Sequence, residues 1–409
     1  MSLTANIKYL RRTFSVITLS LLTQLPAYAE DNDVRPRARD IGLVVGTMST
    51  GKHNAITDVD GVLVGHATVI REPNIHTGIT AIIPAPGNLY KNPIPAWVHA
   101  GNGYGKSVGL SQLVEFGEIE TPILLTCTLC VWTAADAMVK YLLAQPGETE
   151  HTVNPIVGET NDSIVNDMWS DPIQGKHVIK ALESAKSGPV EEGSVGAGTG
   201  TQTYHWKGGI GTSSRVLPDS LGGYTVGVLV QSNLLAGATL TMNGAPVGRA
   251  LNKYAYKQEL ETNQTSDEQV RGGSIMIIVA TDAPLDSRNL DRLASRAMMG
   301  LAKTGSVAEN DSGDYVIAFS TSDLVRRTRS HDKPWPTKAL LPSSMSPLFT
   351  ATVEATEEAI YNALLKATTV EGRGNRLDAI PIDETIKILK EYNALNWDKL
   401  LPPGNQTVR

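Results

Sequence analysis

At 409 residues, with 41% apolar, 19% charged and 5% aromatic residues, the chain can build one large domain or two modest ones. Its formal net charge of −6 falls to −9 once the three cations of the first 29 residues are removed, which argues against nucleic acid or an anionic membrane surface as a partner. Beyond the N-terminus no segment is long and apolar enough to span a bilayer.

Lys8, Arg11 and Arg12 form a basic region, Phe14–Leu25 a short apolar one, and Ala27-Tyr28-Ala29 a small-x-small cleavage site. This is the pattern of a secretory signal peptide, so export to the periplasm and cleavage after Ala29 are expected. Asp31–Arg39 is polar and loose. From Asn54, NAITDVDGVLVGHATVI alternates and breaks at Gly61 and Gly65, a hairpin pattern. His76–Pro84 reads as a strand and Gly101–Gly109 (GNGYGKSVG) as a glycine-rich turn. The two cysteines, Cys127 and Cys130, lie in LLTCTLCVW. No glycine or proline there depresses a thiol pKa. On a strand, residues three apart point to opposite faces. Two buried free thiols are therefore expected.

Val131–Ala144 reads as a helix with Ala134, Met138, Tyr141 and Leu142 on one side, and Ile173–Ala185 as a second. Asn154–Asp167 is polar, Gly193–Ser214 is glycine-rich, and Tyr224–Ser232 is a buried strand. Asn252–Gln269 is charged and without apolar periodicity, a surface linker of the sort where chains are cut. It runs into RGGSIMIIVATDAPL (Arg271–Leu285), a buried strand that begins with Gly-Gly-Ser. Leu290–Leu301, Ala355–Lys366 and Thr385–Tyr392 are predicted helices, and Tyr315–Ser320 a strand. Strands interleave with helices without an internal repeat, so the class is α/β or α+β with large buried sheets.

Three familiar motifs fail. Gly105-Lys106-Ser107-Val108-Gly109 fits a nucleophile elbow, but no histidine stands in a setting that would complete it. The same stretch nearly fits a phosphate loop, with Ala100 where the first glycine belongs. Gly196-x-Gly198-x-Gly200 lacks the acidic residue of a dinucleotide site. No histidine–carboxylate spacing suggests a metal, and no cofactor is implied.

Ser274 is the remaining candidate. A serine hydroxyl is a weak nucleophile and needs a base. At a chain N-terminus the α-amine supplies one, titrating at ~7.7 and so close to working pH. Ser274 could reach that position if its oxygen attacked the Gly273 carbonyl and water hydrolysed the ester. Glycine tolerates the backbone this requires. On the residues alone, a plain glycine turn with a serine at its exit stands beside this reading. Asn233 is equally a strand-end turn residue, Glu159 a solvated loop carboxylate, and Ser312 with Asp314 a tight turn.

Nine ordered blocks from about Arg37 to near the C-terminus extend the case: NAITDVDGVLVGHATV, HTGITAIIP, GNGYG, NPIVGETNDSIVND, GSVGAGTG, KGGIGTSSR, YTVGVLVQSN, GGSIMIIVATDAPL and NDSGDYVIAFST. With them the chain resembles the β-aminopeptidase family, which also contains the L-aminopeptidase/D-amino-acid esterase-amidases. Ornithine acetyltransferase shares the fold type, but its threonine motif is absent. The resemblance implies a four-layer α/β/β/α sandwich of the N-terminal-nucleophile kind. One domain would be shared by an α-subunit (30–273) and a β-subunit (274–409). It implies Ser274 as nucleophile, Ser312 and Asp314 as its polar chain, Asn233 as the oxyanion amide and Glu159 as the carboxylate for the substrate's free amine. The general base stays open between the α-amine of Ser274 and the Ser312–Asp314 chain.

The implied activity is removal of N-terminal residues, β-amino acids among them, from short peptides and amides, by a homo-oligomer of αβ units. Where some members carry a catalytic tyrosine, this chain has Asn161, which leans away from the D-esterase-amidase branch. The rival expectations are L-aminopeptidase or D-amino-acid esterase-amidase activity, an acyltransferase, and a non-catalytic periplasmic peptide-binding protein.

Overall fold

Strands covered on both faces read as unbroken apolar or small-residue runs rather than as alternation. The computed structural model describes residues 35–145, 152–234, 239–263, 273–329 and 334–403. The expected signal, and the linker residues just before Gly273, lie outside the described residues. The principal elements are β1 (Leu63–Arg71), β2 (Ile75–Ile83), β3 (Ile94–Gly103), α1 (Leu110–Phe116), β4 (Glu118–Ile119), β5 (Ile123–Cys127), α2 (Val131–Leu143), β6 (Ile156–Thr160) and α3 (Gly175–Glu183). They continue with β7 (Gln202–Thr203), β8 (Trp206–Lys207), β9 (Gly209–Val216), β10 (Thr225–Asn233), α4 (Val247–Ala250), α5 (Lys257–Thr262), β11 (Ser274–Thr281), α6 (Ser287–Lys303), β12 (Gly313–Ser320), α7 (Ser346–Lys366) and α8 (Ile382–Glu391).

The strands form one sheet in the order β1-β2-β5-β6 and another in the order β4-β3-β12-β11-β10-β9. Pairing is parallel for β5 with β6 and for β11 with β12. Side chains of β11 alternate as period two requires: Met276, Ile278 and Ala280 enter the core between the sheets, while Ile275, Ile277 and Val279 face α6 and α7. Leu124 and Val157 of the smaller sheet pack under α2 and α3. The layers are thus α/β/β/α.

Two expectations, on Gly65 and on the cysteines, need correction, and two stretches read only by composition contain strands. Gly65 is not a break: it lies inside β1, where a Cβ would collide with the Ala181 carbonyl of α3, and β1 pairs with β2 rather than within its own stretch. The polar stretch from Asn154 contains β6, whose five residues are all buried. Part of the glycine-rich stretch from Gly193 is β9, a strand whose glycines admit α7; a Cβ at Gly211 would strike the Ala359 carbonyl. The cysteines are not free. β5 ends at Cys127 and a 3-10 turn over Thr128–Cys130 enters α2, bringing the Cα atoms to 5.1 Å and joining the sulfurs in a disulfide. The expectation of free thiols assumed that the strand continued.

Near the C-terminal end of β9, a buried ion cluster joins that strand to α7. Arg215, fully buried, donates to Glu354 Oε2 at 3.1 Å, Glu358 Oε2 at 2.7 Å and the Ser214 and Val45 carbonyls at 2.7 and 3.0 Å. Arg39 Nε and Asn54 Nδ2 donate to Glu358 Oε1 at 2.9 and 2.5 Å.

Candidate active site

The register of three central strands assembles the site. Asn233, at the end of β10, pairs with Ser274, and Ser274 pairs on its other side with Gly313 of β12. Ser312 and Asp314 flank Gly313, so Asn233, Ser274, Ser312 and Asp314 share one end of the six-stranded sheet. β6 of the facing sheet brings Glu159 to the same end. Just beyond it, the Asn161 N–H donates to Ser274 Oγ at 3.4 Å. All five residues that the sequence singled out therefore lie at one end of the two sheets. Ser274 itself is only 4% exposed.

Asn233 Oδ1 accepts the Gln202 N–H at 2.9 Å, which turns the amide so that its Nδ2 is buried and, among the described residues, unbonded. A buried donor without a partner costs about 1–3 kcal/mol. Such a donor beside a nucleophile is suited to a charge that exists only during reaction. Ser312 Oγ donates to Asp314 Oδ1 at 2.6 Å, and Asp314 Oδ2 is buried without a partner among the described residues. Burial pushes the Asp314 carboxyl up to about 6, against the opposing Ser312 hydrogen bond. The Gly273 carbonyl accepts the Gly313 N–H at 3.2 Å.

Glu159 is buried, with Oε1 accepting the Lys106 N–H at 2.8 Å and Oε2 the Thr128 hydroxyl. The Gly101–Gly109 stretch is not a mere turn. Its first residues finish β3, and the rest closes over the site. Tyr104 N–H donates to the Ser312 carbonyl at 3.3 Å. A Cβ on Gly105 would lie 2.6 Å from the Tyr315 ring and 3.4 Å from Glu159 Oε1, so only glycine fits. Burial, then the nearby Glu159, raises the Tyr315 phenol.

Sequence reasoning missed the supports. Lys207, fully buried, donates to the Gly198 and Gly208 carbonyls at 2.8 and 2.6 Å. Burial pushes Lys207 down and Asp162 up, each to about 7. A lysine set between Trp206 and a glycine-rich apolar run was the available signal. Among the described residues, no three His, Cys, Asp or Glu side chains gather as a metal site.

A serine heading a central strand, in a sandwich of two sheets between helix layers, defines an N-terminal-nucleophile type of serine hydrolase. A family model for peptidase family S58 matches residues 54–377, and the chain belongs to that family. It resembles the β-peptidyl aminopeptidase BapA of Sphingosinicella microcystinivorans, 36% identical over 408 residues, covering 93% of this chain and 98% of the relative. Among solved structures it is similar to a Burkholderia sp. β-aminopeptidase, 39% identical with a TM-score of 0.78 over 87% of this chain and 99% of that one. It is also similar to an L-aminopeptidase D-Ala-esterase/amidase of Ochrobactrum anthropi with a variant N-terminal-nucleophile fold. That protein is 35% identical with a TM-score of 0.78, over 88% of this chain and 100% of that one. The chain is a serine aminopeptidase, which sets aside the non-catalytic binding protein.

Proposed function

We propose that this aminopeptidase activates itself by cutting Gly273–Ser274 and then removes N-terminal β-amino acids from short peptides and amides. The single observation that carries it is Ser274 Oγ at the head of β11, opposite an Asn233 Nδ2 that is unbonded among the described residues, and under the Asn161 N–H. In activation, Ser274 Oγ attacks the Gly273 carbonyl carbon, whose oxygen the Gly313 N–H already holds. The C–N bond breaks in favour of an ester, and water hydrolyses it, leaving Gly273 a carboxylate and Ser274 a free amine.

In turnover, the substrate ammonium pairs with Glu159 while Ser274 Oγ attacks the first carbonyl. Its proton passes to the α-amine or to the Ser312–Asp314 chain. Asn233 Nδ2 and the Asn161 N–H receive the oxyanion. The shortened peptide leaves with a proton, and water releases the amino acid from the ester. Similarity to two β-aminopeptidases and Asn161 in place of a tyrosine support the β-preference. Similarity to the Ochrobactrum enzyme supports the second reading, L-aminopeptidase or D-esterase-amidase activity. Export through residues 1–29 and assembly of processed αβ units into an oligomer belong to the same proposal.

Intact-mass measurement of the wild type and Ser274→Ala tests activation. Two fragments split before Ser274 are expected in the wild type and one chain in the variant; an uncut, active wild type would refute it. β-Homo-amino-acid and α-amino-acid p-nitroanilides, assayed side by side, decide the specificity.

A further inference from the structure

Glu159 is held by donors from two other elements: the Lys106 N–H from the β3–α1 loop and the Thr128 hydroxyl from the β5–α2 turn. A carboxylate offers about four acceptor sites, so two fixed donors leave the remainder for a ligand ammonium and set its direction. Thr126 stands beside Glu159 in the parallel register, and the strand ends at Cys127. The chain must therefore turn sharply for Thr128 to reach back.

Thr126 is well anchored. Its hydroxyl donates to the Gly78 carbonyl at 3.0 Å, and its carbonyl accepts Gln231 Nε2 at 2.9 Å. Neither bond holds the turn that follows. The Cys127–Cys130 disulfide does, with Thr128 inside the ring it closes. Cys130 is the residue before α2, which Val131, Ala134 and Met138 fix in the core. The ring spans a sequence separation of only 3, and so short a loop removes far less freedom from the unfolded chain than a long one. Its larger effect is local: it ties a strand end to a helix start around one hydroxyl.

We infer that Thr128 and the Cys127–Cys130 crosslink are positioning residues for Glu159, setting how tightly the site grips the substrate's free amine. This rests on the reading of Glu159 given above. Neither group touches the reacting atoms, so the effect falls on KM rather than kcat.

Thr128→Val keeps the shape and deletes the hydroxyl. It should raise KM for a free-amine p-nitroanilide about ten-fold, the scale of one hydrogen bond to a charged group, with kcat within about two-fold. Thr128→Ser should restore KM, and a deaminated competitive analogue should bind wild type and Thr128→Val alike. The paired Cys127→Ala, Cys130→Ala variant should raise KM in the same direction, and adding Thr128→Val should raise it little further. Alkylation of the unfolded, unreduced wild type should add no mass at the cysteines. Wild-type KM in Thr128→Val, a kcat effect alone, or alkylation of both cysteines would overturn the inference. Should the cysteine variant fail to fold, the Thr128 series still decides. Glu159→Gln separates the two levels. If it leaves KM unchanged, the ammonium reading fails; if it raises KM while Thr128→Val does not, only the positioning inference fails.

Discussion

Two buried carboxylates, Glu358 and Asp314, meet opposite conditions. Burial would raise both, but at Glu358 the charges of Arg215 and Arg39 outweigh it and hold the carboxyl below its ordinary value. Asp314 faces no such cation among the described residues, and burial carries it to about 6. Two buried asparagines repeat the contrast. Asn54 spends both ends of its amide, on Glu358 at 2.5 Å and on the Ser214 N–H at 3.0 Å. Among the described residues, Asn233 spends only its oxygen. In these two pairs the saturated group holds the fold and the group left with unspent capacity stands at the site end of the sheet.

That contrast can be broken by experiment. The largest expected effect is on the saturated side. Arg215→Met strands Glu354 without its cation, leaves Glu358 with Arg39 alone, and should cost about 3–5 kcal/mol of stability in denaturant melts, with kcat of the folded fraction unchanged. Asn233→Ala should do the reverse: kcat falls about 10²–10³-fold while the melting temperature stays near that of the wild type. A large stability loss there would dissolve the distinction. The smallest effect belongs to Asp314. Its native carboxyl binds a proton more tightly than the unfolded one, moving from 3.8 to about 6, so its contribution is present at low pH and lost as pH rises between those values. Asp314→Asn should remove about 3 kcal/mol of that pH-dependent stability, judged against wild type by melts across pH. If the Asp314 carboxylate serves as the acceptor, wild-type kcat/KM should also rise through a pH of about 6, and the variant's should not.

Legibility in the sequence followed burial. β10, β11 and β12 read clearly because long apolar runs covered on both faces have few alternative structures. β6 did not, because Gly158, Glu159 and Thr160 look like a loop. Gly158 is small because Met276 of the facing sheet fills the place of its Cβ, a requirement set by a residue more than a hundred positions away. The same distance hid the assembly of the site. Each motif named its own residue, but only the register of β10, β11 and β12 sets Asn233, Ser274 and Gly313 side by side. The cysteines failed for a local reason: the assumption of a continuing strand missed the turn that pairs them.

The ion cluster at α7 bears on what a cut before Ser274 would do. Arg39 and Arg215 precede that bond and Glu354 and Glu358 follow it, as β10 precedes and β11 follows. None of these contacts runs through the severed peptide, so the two pieces would stay together by the same forces that fold one chain. Yet the reaction order of unfolding would change. An intact polypeptide melts at a temperature indifferent to dilution; a nicked pair must find its partner again, and its apparent stability acquires a dependence on protein concentration. Self-activation would thus convert a folding equilibrium into an association equilibrium.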